Sequence, residues 1–109
     1  MVLRIRPAQA KLLAQESFCD RMMAIICQHY PGETRTILAA DMRAEIIHQI
    51  EAAKGYGLGD EQAAAKYVLA AWLLGPDFDR SLPIAAQILS ATNLSSAAKA
   101  GALEHLSVA

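Results

Sequence analysis

Aromatic residues are scarce in this chain of 109 residues, at 6%, with one Trp and two Phe. A core of interlocking rings is therefore excluded. Ala, Leu, Ile and Met, which supply most of the 54% hydrophobic content, must fill the interior at close helix spacing, and that composition favours an all-α fold. Charge of one sign is lacking as well, since 10 Lys and Arg face 11 Asp and Glu for a formal net charge of -1. Cut at Lys54, the halves carry 7 basic with 6 acidic and 3 basic with 5 acidic residues, so neither holds a charge block. Nucleic acid and anionic membrane are poor partners for such a surface.

Long apolar runs are missing too. No stretch reaches the roughly 18 residues that a membrane span requires, and MVLRIRPAQAK lacks the apolar segment of a secretory leader. A soluble, cytoplasmic chain is expected. The two Cys, Cys19 and Cys27, fall on one expected helix about 12 Å apart at a rise of roughly 1.5 Å per residue, beyond the reach of a disulfide. Buried, inert thiols are the reading that follows.

What is present is helical punctuation. Residues 1–6 alternate loosely and could form a short arm. Pro7 suits a first helical position, and residues 8–30 contain no breaker, with Leu12, Cys19, Met22, Met23, Ile26 and Tyr30 on one face. After Pro31-Gly32 a second long helix is expected from Glu33–Thr36 to Lys54, with Gly55 in the left-handed position beyond its end. Its apolar stripe reads Ile37, Leu38, Met42, Ile46, Ile50 and Ala53, and Asp41, Glu45 and Gln49 mark the wet side. The two long helices should pair antiparallel.

The stretch from Gly55 to Ser90 holds the only Trp, two of three Tyr and four of six Gly. Asp60 is a good N-cap for a buried central helix over Glu61–Leu74, which Gly75-Pro76 stops. Asp77-Phe78-Asp79-Arg80-Ser81 reads as an exposed turn with Phe78 pinned back into the core. Pro83 then opens a short helix to Ser90, and Ser95 caps a last one from about Ser96 to Leu106. The expectation is one all-α domain over residues 1–109, a bundle of about five helices.

Catalytic constellations are weak. Gly55, Gly57 and Gly59 lack the strand and the Lys-Ser/Thr pair of phosphate loops, so they read as a helix corner. Glu45-x-x-His48 is half of a carboxylate-bridged di-metal motif with no second copy. Asp77-x-Asp79 departs from the calcium-loop pattern after its second acid. Cys19 with His29 or His48, and the serines with any His, lack an elbow or oxyanion loop. His29 and His105 lie near helix C-termini, where an imidazolium suits the dipole. No catalytic residue, metal ligand or cofactor is assigned on these grounds. A compact helical frame without catalytic apparatus has the character of an interaction module, for a partner protein or for a second copy of itself. Tyr56 and the Asp77, Phe78, Asp79 and Arg80 loop are its expected partner-binding residues. The rival is a small metal-dependent enzyme built on Glu45, His48 and the Asp77–Asp79 loop.

Ile5-Arg6-x-x-Gln9, Tyr56-Gly57-Leu58, Leu74-Gly75-Pro76-Asp77-Phe78-Asp79, Leu82-Pro83-x-Ala85 and Ile88-Leu89 together resemble a family of small bacterial proteins encoded in type VI secretion effector clusters. The resemblance runs from about Ile5 to Leu106. It departs at Ile84, where the family pattern has Trp within Pro-Trp-Ala. What it implies is a helical accessory protein that handles another protein, as adaptor, chaperone or immunity partner of an effector or spike component.

Overall fold

The structure, a computed structural model, describes residues 7–108, with side chains from 17 to 107. The expected arm over residues 1–6 and the apolar side chain of Leu12 lie outside the described residues. Seven helices and no strand are found among those described: α1 Pro7–His29, α2 Pro31–Thr34, α3 Ala39–Gly55, α4 Glu61–Leu74, α5 Phe78–Ser81, α6 Pro83–Ser90 and α7 Ser96–Val108. The all-α expectation holds. The two helices beyond the expected five, α2 and α5, are single turns of four residues each. The chain divides within α3 into two compact units, one ending at Ile47 and one beginning at His48.

In the first unit Cys19, Met22 and Ile26 of the expected α1 stripe are buried and Met23 and Tyr30 half-buried, Phe18 joins the buried set, and Met42 and Ile46 of α3 are buried as well. The Cys19 thiol donates to the Arg43 carbonyl at 3.8 Å, and burial pushes its ionisation up, so it is an inert thiol. Cys27 is free and exposed. Arg43 also pairs with Asp20.

The second long helix does not start at Glu33. Pro31 opens only one turn, and the Thr34 hydroxyl donates back to the Tyr30 carbonyl at 2.9 Å. Thr34, Thr36 and Ile37 are β-branched, stiff at χ1 and weak helix formers in close succession, and the helix lapses over residues 35–38. It resumes where the Leu38 carbonyl accepts from the Met42 amide at 3.0 Å. Ile37 and Leu38 therefore leave the expected core stripe, standing 36% and 70% exposed.

The second unit is built around α4, which is buried at Ala63, Ala64, Tyr67, Val68, Ala70 and Ala71. Asp60 caps it as expected, accepting from the Ala63 amide at 3.1 Å, while its other oxygen accepts from the Ser96 hydroxyl at 2.7 Å. Farther along, Lys66 pairs with Glu104 at 2.9 Å. The contact at residues 60 and 96 and the one at 66 and 104 advance together, so α4 and α7 run side by side in the same direction. Small residues on both, with Ala100 and Leu103 buried on α7, let their backbones approach. Pro83 opens α6 and Ser95 caps α7, its hydroxyl accepting from the Ala98 amide at 3.1 Å.

Candidate functional site

The corner that follows α3 is set by the sequence Ala53-Lys54-Gly55-Tyr56-Gly57-Leu58. Gly55 stays inside the helix, contrary to expectation, and the left-handed position falls to Gly57 at φ 84°. The Gly57 amide donates to the Lys54 carbonyl at 3.0 Å and the Leu58 amide to the Ala53 carbonyl at 2.8 Å, the paired bonds of a Schellman cap. Leu58 and Ala53, the two residues whose apolar contact accompanies that cap, are both fully buried. The position is Gly57 because two more residues must pass before Leu58 can turn inward.

Helix α4 ends at Gly75, which has φ 111° and donates to the Ala71 carbonyl at 3.0 Å. The turn that follows is a short helix rather than an open loop. The Arg80 and Ser81 amides both donate to the Asp77 carbonyl, at 2.9 and 2.8 Å. Three further attachments hold this turn in place. Phe78 is 0% exposed and its ring lies 5.0 Å from that of Tyr67, tilted by 55°. The Gln49 amide donates to the Pro76 carbonyl at 3.2 Å, and the Tyr56 hydroxyl to Asp79 Oδ2 at 2.7 Å. That hydrogen bond, with burial behind it, pushes the Tyr56 phenol above its ordinary range, so it is a donor and no base at neutral pH.

Of the five residues expected to bind a partner, the structure brings Tyr56 and Asp79 together and leaves Asp77 and Arg80 at the surface. Their side chains are 71% and 77% exposed and pair at 3.2 Å. Phe78 is pinned into the core as expected, and because a ring with no exposed area anchors the turn from beneath, its side chain is not part of the contact surface. Gln49 needs the opposite correction. Expected on the wet side of α3, it is only 3% exposed and bonds the Pro76 carbonyl. Its place three residues after Ile46 and one before Ile50 could have marked it as a polar group on an apolar stripe. Lys99 was also not foreseen, and its ammonium donates to the Tyr56 and Leu89 carbonyls at 3.3 and 2.9 Å, closing the C-terminal ends of α3 and α6.

Glu45 and His48 are exposed on α3. Among the described residues no three His, Cys, Asp or Glu side chains gather where they could hold a metal ion. Four of the serines serve the helices: Ser90 and Ser107 donate to carbonyls one turn back, at 2.7 and 2.9 Å, and Ser95 and Ser96 stand at the start of α7. No described helix is long and apolar enough to cross a membrane. Searches of protein-family models, of curated proteins and of solved structures find no match to this chain.

Proposed function

We propose that this chain is a non-enzymatic protein-interaction module and that the α5 turn, with Asp77 and Arg80 outward and Tyr56 at its edge, is its contact surface. The observation that carries this reading is the fixing of a four-residue turn by a buried Phe78, by Gln49 and by Tyr56 while the charges of Asp77 and Arg80 stay in water. A surface presented rigidly loses little conformational entropy when a partner docks, which is the condition for specific binding by a small patch. The exposed Asp77 and Arg80 pair itself adds on the order of 1 kcal/mol or less to folding, so these charges are free to serve recognition.

The partner class follows from the resemblance. We infer an adaptor, chaperone or immunity partner in the bacterial cytoplasm, acting on a type VI secretion effector or spike component. The test is affinity capture from the native host with the wild type and with an Asp77→Lys/Arg80→Glu double variant. That variant keeps an ion pair across the turn and reverses what it presents. Recovery of an effector, toxin or spike protein by the wild type, reduced at least tenfold in the variant, supports the reading. Recovery of none of these, or capture indifferent to the reversal, overturns it.

A further inference from the structure

One polar atom beneath the α5 turn has no hydrogen bond. Tyr67 is wholly buried on α4 and its hydroxyl makes no hydrogen bond. Such a group has given up water without compensation, and folded proteins contain few of them. Its surroundings point to the group that could complete it. The centre of the Tyr67 ring lies 6.1 Å from that of Tyr56 and 5.0 Å from that of Phe78, and Phe78 is joined directly to Asp79. Burial foremost, then the charge of Asp79 and the presence of Tyr56, hold the Tyr67 phenol far above its usual ionisation, so it stays a donor. Two phenols thus share the field of one carboxylate, and only Tyr56 is bonded to it.

We infer that Asp79 is a shared acceptor that exchanges between the Tyr56 hydroxyl at the surface and the Tyr67 hydroxyl in the core, so that Tyr56 can be released to an acceptor on another protein while Asp79 stays paired. The exchange requires a rotation of the Asp79 side chain and leaves α5 seated on Phe78. It lowers the cost of withdrawing Tyr56, because the bond lost at the surface is replaced by one to a hydroxyl that had none. The group that Tyr56 would then meet is an acceptor, a backbone carbonyl or a carboxylate. The exchange is a property of the chain alone and does not rest on the identity or existence of the partner proposed above.

The test is thermal unfolding of four proteins: wild type, Tyr67→Phe, Tyr56→Phe and the double variant. In the wild-type background Tyr67→Phe removes an unbonded hydroxyl and keeps the ring, so Tm holds or rises. In the Tyr56→Phe background Asp79 turns to Tyr67, and there Tyr67→Phe lowers Tm by about 4 °C or more. A loss confined to the Tyr56→Phe background is the expected result. A loss in both backgrounds means that Tyr67 is already bonded in the wild type, and no effect in both means that it never engages Asp79; either overturns the inference. A second readout is the NMR spectrum of protein labelled at the tyrosine Cζ. The Tyr67 resonance should move in Tyr56→Phe and return when Asp79→Ala is added, and an unmoved resonance overturns the inference as well.

Discussion

Replacing Phe78 by Ala tests whether the α5 turn is held from beneath. The ring has no exposed area, so its removal forfeits the full burial of a large side chain, about 1.5–3 kcal/mol. The tilted stacking on Tyr67 at 5.0 Å adds about 0.5–1.5 kcal/mol beyond area. A cavity term follows from incomplete collapse, and the whole falls in the range of about 3–5 kcal/mol seen for buried Phe→Ala changes. Against a total stability of about 5–15 kcal/mol this is a large fraction of the fold. Urea denaturation followed by circular dichroism, with Tm from calorimetry, gives the measurement, and a drop of roughly 12 °C or more is expected from about 3 kcal/mol at this size. Phe78→Leu, which retains much of the volume, should lose clearly less. A Phe78→Ala loss under about 1 kcal/mol would refute the reasoning, because a Phe that can be deleted at that cost is not seated in a core.

The other expectations concern helix ends. Gly57→Ala should cost about 1–2 kcal/mol through its φ of 84° alone, since a Cβ there meets nothing within 4 Å, and Gly57→Asn should recover part of the loss in the same denaturation assay. Equal stability of the Gly, Ala and Asn forms would show that the left-handed turn is not needed. Bonds from the Ser96 hydroxyl and then the Ala63 amide hold the Asp60 carboxyl below its ordinary range. A depressed folded value contributes stability that is present above the unfolded pKa and disappears as pH falls through the folded one. The denaturation midpoint of wild type minus that of Asp60→Asn should therefore be constant through neutral pH and shrink on acidification below the ordinary aspartate range, and a difference that ignores pH would exclude a role for the charge.

Much of the second unit was legible because its boundaries are local chemistry. Asp60, Gly75-Pro76, Pro83 and Ser95 each act on the few residues beside them, and α4 and α6 begin and end where those residues place them. The same kind of reasoning failed at two places where local preferences compete. Residues 35–38 carry an apolar period that fits a helix, but β-branched crowding and the Thr34 side-chain bond decide against one. Gly55 and Gly57 both suit a left-handed position, and only the burial of Leu58 selects between them. The site itself was half visible. Tyr56 and Asp79 could be named one by one, but they are 23 residues apart and their bond depends on how α3, α4 and α5 come together. Nor does periodicity reveal that Gln49 turns inward, because the carbonyl that accepts from it, that of Pro76, lies 27 residues away.

The residues on which the proposed family reading rests have structural roles that limit what that reading can specify. Tyr56-Gly57-Leu58 is the Schellman cap, Gly75 the end of α4 and Phe78 the anchor of α5. Leu82-Pro83 is the start of α6, and Ala85 and Leu89 are its buried face. Each acts on the path of the backbone or the filling of the core, so a chain that shares the pattern would inherit the same platform whatever it binds. What the pattern leaves unconstrained by folding is the outward pair, because Arg80 could be exchanged with little effect on stability and Asp77 contributes to the turn through its backbone carbonyl. On the proposed reading, partner choice lies in the charges at its rim. Exchanging residues 77 and 80 between two chains of this pattern should move binding from one partner to the other and leave both folds intact.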